Sequence, residues 1–197
     1  MPAISVAVAL IIIDMQQGIN APRLGPRNNP TAECQIERLL AAWRRAQAPV
    51  IHVRHISRSP ESVFWPGQPG AQFQPQFAPL AHEHVMEKNV PDAFANSGLE
   101  RWLHARGIRN LVIVGVATNN SVESTARSAG NLGFAAQVVA DACFTFAQIN
   151  HAGVQHSAET VHVMALANLQ GDYASIVSTD AVIETFGSGA ASARADV

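Results

Sequence analysis

The sequence predicts an α/β fold of three layers, with helices covering both faces of an open and mostly parallel sheet. Three observations carry this. Apolar runs of strand length alternate with amphipathic stretches of helix length along the 197 residues, the pattern of repeated crossover units. The first run, VAVALIII (residues 6–13), is unbroken rather than alternating, as expected of a strand buried on both faces. Hydrophobic residues make up 48% of the chain and charged residues 14%, so there is apolar surface enough for one two-sided core. The length fits a single domain, at about 100–200 residues each. It is taken as residues 1–186, with GSGAASARADV (187–197) as a flexible tail.

The elements follow in order. VAVALIIID ends on Asp14. Residues 31–47 carry Ile36, Leu39, Leu40 and Trp43 at helical spacing, and Pro49 closes them off. PVIHVRH reads as a second strand. Residues 57–80 hold five prolines and two glycines and form a long loop of the kind that is usually functional. HVMEK (84–88) is a short third strand. Ser97 and Glu100 form an S-x-x-E capping box for a helix with Leu99, Trp102 and Leu103, ended by Gly107. NLVIVGV is the fourth strand, and a small-residue helix over 122–132 ends at Gly133. AAQVVADA, a helix over 157–169 and a last strand in ASIVSTD complete the pattern.

Several function classes are excluded or disfavoured. A net charge of −2 without a basic patch gives nucleic acid no footprint. The longest apolar run falls far short of the ~20 residues that span a bilayer, so no membrane association is expected. The N-terminus has no basic segment and cleavage site for export. The two cysteines, Cys34 and Cys143, make no disulfide framework, which favours a cytoplasmic setting; Cys143 reads as a small buried hydrophobe. DMQQG stands where a dinucleotide fold carries its glycine fingerprint, and no cofactor is expected. High apolar content with little charge favours a homo-oligomer, a dimer or tetramer.

In an open α/β sheet, ligands bind beyond the carboxyl ends of the strands. Asp14 closes the first strand, Lys88 the third, and Ser121 lies just past the fourth. Topology brings these ends to one edge. Each residue has a plainer reading beside the functional one. Asp14 is a possible turn cap, and Lys88 a possible surface lysine. Asn119, Asn120 and Ser121 are all suitable N-cap residues. Together, though, a carboxylate, an ammonium and a hydroxyl at one edge suit proton transfer, and a helix N-terminus beside them suits a developing oxyanion. Pocket candidates are His52 and His55 at the second strand, Phe64 and Trp65 in the long loop, and Asn119. The histidines match no metal-ligand pattern, so no metal site is expected.

The motifs LIIIDMQQG, PGQPGAQFQPQFAP, EKNVPDAF and NLVIVGVATNNSVESTARSAGNLGF make the chain similar, from about residue 6 to 185, to the isochorismatase-like cysteine hydrolase superfamily. The resemblance implies a Rossmann-like hydrolase fold acting on a small molecule. It implies that Asp14 and Lys88 are catalytic, that Ser121 occupies the position usually held by a nucleophilic cysteine, and that Val116–Ala117 is a cis peptide. The Ala117 and Ser121 N–H groups would then form an oxyanion hole. The nicotinamidase-type metal ligand set is replaced by IHVRHIS. A serine is far less acidic than a thiol of pKa about 8.5. It is therefore a working serine nucleophile, a Cys→Ser replacement made to trap a complex, or a bystander in a reaction that needs no nucleophile. The leading expectation is C–N hydrolysis of an amide, carbamoyl or ureide compound, with Lys88 holding the Asp14 pKa down. The alternatives are vinyl ether hydrolysis of the isochorismatase type, with Asp14 as acid, and a catalytically silent small-molecule binder.

Overall fold

Six parallel strands form the central sheet of the computed structural model, which describes residues 7–186. In chain order the elements are β1 (Val8–Ile13), α1 (Ala32–Ala46), β2 (Val50–His55), β3 (His84–Lys88), α2 (Leu99–His104), β4 (Asn110–Val116), α3 (Glu123–Asn131), β5 (Ala135–Phe144), β6 (Gln148–Ile149), β7 (Gln155–His156), α4 (Ala158–Leu169) and β8 (Ser175–Val177). A final helix, α5, covers residues 179–186. The sheet order is β3-β2-β1-β4-β5-β8, and β6 pairs only with β7. The chain therefore builds outward from β1 in one direction and from β4 in the other. The crevice at this reversal lies beyond the carboxyl ends of β1 and β4, where α/β sheets bind their ligands.

The unbroken apolar character of β1 has the expected cause. Ala9, Ile11 and Ile13 face a core closed by α2, α3 and α4, through Leu99, Leu103, Ala126, Leu166 and others. Leu10 and Ile12 face the opposite core, closed by α1 and α5. In that second core Trp43 stacks on Phe186 at 3.8 Å between ring centroids. With no solvent-facing side, β1 has no polar position to alternate.

The differences from the sequence reading are local. The capping box at Ser97 does not form. The Ser97 hydroxyl accepts from the Leu99 N–H and donates to the Ala93 carbonyl, and α2 starts behind Gly98 with no side-chain cap. The helix after β4 begins with a wider π turn, Thr118–Val122, before α3; such turns concentrate at functional sites. β5 continues to Phe144, with a register shift where β4 passes from Ile113 to Gly115. The β6–β7 hairpin and α5 have no clear signal in the sequence. The region read as a tail, 187–197, lies outside the described residues. Among the described residues no helix is long and apolar enough to cross a membrane.

Candidate active site

Asp14 sits one residue past β1, with its N–H bonded to the Val53 carbonyl at 2.8 Å and a positive φ of 55°. Beside it, Gly115 is required: a Cβ there would lie 2.1 Å from the Ile13 carbonyl oxygen, and its φ is +119°. Any side chain at 115 would push β4 off β1 at the point where the acid emerges. Lys88 ends the edge strand β3, opposite His55 of β2. It reaches across β2 on its four-carbon stem, and its Nζ donates to Asp14 Oδ2 at 2.6 Å and to Ser121 Oγ at 3.1 Å. All three groups are buried. The three residues expected to be catalytic thus meet, although 74 and 33 positions separate Lys88 from its two partners.

The plainer readings of these residues do not describe the geometry. No side chain caps α3, and the Ser121 hydroxyl is engaged by Lys88 instead. Asp14 spends its side chain on the same lysine rather than on a turn N–H. The peptide bond Val116–Ala117 is cis. Directly after it, the Ala117 carbonyl accepts from the N–H groups of both Asn120 and Val122, at 3.0 and 3.2 Å, closing the turn that carries Ser121.

The electrostatics depart from expectation in one respect. Burial pushes the Asp14 carboxyl up from its ordinary value of 3.8, and Lys88, Ser121 and His55 oppose this without overcoming it. Lys88 therefore moderates a raised pKa and does not hold it down. The second carboxylate oxygen, Asp14 Oδ1, is buried with no hydrogen-bond partner among the described residues, which leaves it a free acceptor. Burial, with Lys88 adding to it, lowers the pKa of His55, and Asp14 opposes; the imidazole is neutral at pH 7.

The remaining candidates separate. His55 lies against Phe64, with ring centroids 5.8 Å apart, at the rim of the same crevice. Trp65 follows, half-buried, its N–H donating to the Ser62 carbonyl. Asn119 is bonded by the Thr145 hydroxyl and also lines a cavity of about 290 Å³ between the π turn and α4, with Glu123, His156 and Met164. His52 is a different case. Its fully buried ring is bonded to Glu83 at 2.8 Å and meets Phe73 edge-on, so it is locked on the α1 face of the sheet rather than presented to the crevice. Cys143 is buried behind Gly115, and burial pushes its thiol up to about 12. It is inert, as a small apolar residue would be.

Gln16 belongs to no catalytic pattern in the sequence, yet it organises the crevice. Its fully buried carboxamide accepts from the His55 N–H at 2.7 Å and donates to the carbonyls of His55 at 2.9 Å and Ala71 at 3.0 Å. It ties the segment after β1 to the end of β2 and to the long loop. Backbone bonds from Gln17 to Gln72 and from Gln74 to Met15 complete the seam. Gly18 and Gly70 both lie too close to Val63 for a Cβ, at 2.6 and 2.1 Å. The glycine and proline content of 57–80 therefore marks a tightly docked wall of the crevice. The available signal is a glutamine, a polar side chain, soon after a fully buried strand. Among the described residues no group of three or more His, Cys, Asp or Glu side chains is placed to hold a metal ion.

An open parallel sheet with a buried acid, lysine and hydroxyl at its reversal point defines a hydrolase-like site. Comparison with known proteins agrees. Residues 8–181 match the Isochorismatase domain. A crystal structure of a protein of the isochorismatase family from Chromobacterium violaceum ATCC 12472 superposes with a TM-score of 0.90 at 44% identity, covering 94% of this chain and 96% of that one. The isochorismatase family protein YrdC of Bacillus subtilis (strain 168) is 34% identical over 90% of this chain and 95% of its own. Nicotinamidase 3 of Arabidopsis thaliana is 28% identical over 87% and 85%. The chain belongs to the isochorismatase family, and it is a hydrolase of that family.

Proposed function

We propose that this hydrolase cleaves a C–N bond in a small, uncharged amide, carbamoyl or ureide compound. The observation that carries the reading is the Lys88 ammonium bridging Asp14 Oδ2 and Ser121 Oγ. Because Lys88 donates to the serine oxygen, the serine proton is free to pass to Asp14 Oδ1, the unpartnered acceptor. Ser121 Oγ then attacks the substrate carbonyl carbon. The Ala117 and Ser121 N–H groups receive the oxyanion. Collapse breaks the C–N bond as Asp14 returns the proton to the departing nitrogen. Water, deprotonated by Asp14, then cleaves the acyl-serine ester and regenerates the hydroxyl. The preference for an uncharged substrate rests on the buried groups: Asp14 already neutralises Lys88, and His55 is uncharged at pH 7. An amidase relative, the nicotinamidase, supports the bond type.

A second reading is favoured by one observation. The raised Asp14 pKa suits a general acid, as vinyl ether hydrolysis without a nucleophile requires. Product analysis separates the two. The first predicts ammonia released from members of an amide and ureide panel, with turnover lost in Ser121→Ala. Pyruvate from isochorismate, no ammonia from any panel member, and unchanged turnover in Ser121→Ala would replace it with the second. Failure of both, with ligands still detected by thermal shift, would make the chain a silent binder.

The reading includes a homo-oligomer in a reducing, cytoplasmic setting. Exposed Val163 and Met164 on α4, and Ile149 and Val154 on the adjoining β6–β7 hairpin, suit a subunit contact, and both cysteines are free thiols. A monomeric mass in light scattering at micromolar concentration would refute the oligomer.

A further inference from the structure

A buried polar chain lies behind the reacting turn, and the catalytic steps above do not use it. Thr118, the first residue of the π turn, is fully buried, and its Oγ1 lies 2.8 Å from His162 Nδ1 on α4. His162 is itself 4% exposed, in a helix whose other buried residues are Ala158, Ala165, Leu166 and Leu169. The far side of the ring meets Asn29, whose Nδ2 lies 3.5 Å from Nε2 and donates to the carbonyls of Ala140 and Cys143 at 2.9 and 2.6 Å. With the ring proton on Nε2, Nδ1 accepts from the Thr118 hydroxyl.

The placement matters because Thr118 lies between the two parts of the proposed oxyanion site. It follows Ala117 directly and precedes Ser121 by three residues. A valine at 118 and an apolar residue at 162 would fill the same space without the cost of burying polar groups. The bond instead fixes one rotamer at each end and pins the turn to α4, whose own start is held by the Ser157 cap on Thr160 N–H at 3.1 Å. Apolar packing alone leaves such a turn free to slide.

We propose that His162 is a positioning residue, which acts through Thr118 to hold the turn carrying Ala117 and Ser121 in register with Lys88 and Asp14. This rests on the reading of that turn as the reacting one.

The test needs no known substrate. In a Cys34→Ser background, Ser121→Cys places a thiol at the reacting position, and Cys143 stays silent. Iodoacetamide alkylation against pH then reports the thiol pKa, which a nearby ammonium lowers. His162→Phe is expected to move the midpoint of the rate profile up by about one unit and to slow alkylation at pH 7 about tenfold. His162→Asn, whose amide oxygen can accept from Thr118, restores most of it. Leu166→Ala loosens the same helix and leaves the midpoint in place. Thr118→Val reproduces His162→Phe, and the double variant adds nothing further; if His162→Phe does not fold, Thr118→Val alone decides. A midpoint unmoved by Thr118→Val, or moved equally by Leu166→Ala, overturns the proposal. Asp14→Asn tests the underlying reading separately. If it leaves the profile unchanged while the His162 variants shift it, the site reading fails and the positioning effect stands.

Discussion

Two carboxylates with buried side chains lie at opposite ends of the sheet, Glu83 just ahead of β3 and Asp14 just past β1, and they are treated in opposite ways. Glu83 accepts four hydrogen bonds, from Arg44 Nε at 2.8 Å and Nη2 at 2.9 Å, from His52 Nε2 at 2.8 Å, and from the Leu80 N–H at 2.8 Å. Burial pushes its pKa up, but Arg44, the Leu80 N–H and His52 together outweigh this and hold it at about 2. Asp14 lies deeper in the protein and has one cationic donor on one oxygen and no hydrogen-bond partner on the other. There burial wins, and the pKa rises. On the proposed function, a structural carboxylate is thereby told from a reactive one. The first is saturated with donors and locked in its charged form. The second keeps an empty acceptor and a proton affinity that chemistry can use.

The largest effect is expected at Asp14. Asp14→Asn removes the acceptor while keeping the shape, so turnover falls by about a thousandfold or more, and the buried Lys88 ammonium is left without its counter-charge. Turnover within about tenfold of the parent's would erase the distinction between the two acids. Glu83→Gln should do the reverse. It strips charge-assisted bonds from Arg44 and His52, costs about 2–3 kcal/mol in urea unfolding, and leaves the reactivity of a Ser121→Cys thiol within about twofold.

The pH dependence follows with opposite signs. The folded pKa of Glu83 lies below its ordinary value of 4.5, so its contribution is complete above about 4.5 and is lost as pH falls towards about 2. Burial also lowers the pKa of His52, so it too destabilises the fold as pH drops below 6.5. Asp14, with its raised pKa, contributes stability at low pH that is lost as pH rises through its folded value. Urea midpoints measured from pH 6 down to pH 3 should fall, and fall less below pH 4.5 in Glu83→Gln. The smallest effect is expected far from both carboxylates: Ser157→Ala removes the α4 cap and costs about 1 kcal/mol, read from the same unfolding curves.

Much of this is legible in the sequence, for physical reasons. An unbroken apolar run of this length suits a doubly covered strand, so β1 and the position of Asp14 follow. HVMEK ends on Lys88 as expected. The end of α1 is marked by Pro49, and α4 falls within the stretch 157–169 that reads as a helix. What is not legible depends on contacts distant along the chain. Ser97 fits the local capping pattern, yet its hydroxyl is drawn to the Ala93 carbonyl. His52 sits near a strand end like His55, but its ring is held on the α1 face by Glu83, 31 residues away. His162 is one of several scattered histidines in the sequence because nothing local ties it to Thr118, 44 residues away. The direction of the Asp14 pKa depends on how completely burial outweighs a single lysine, which spacing does not reveal.

The contrast between the two carboxylates is tested most directly by a carbon-13 NMR titration of the side-chain carboxyl carbons, assigned with Asp14→Asn and Glu83→Gln. Asp14 should titrate above 3.8 and Glu83 near 2. A reversed order, with Asp14 ionising below its ordinary value while Glu83 titrates near 4.5, would overturn the assignment of one acid to structure and the other to chemistry.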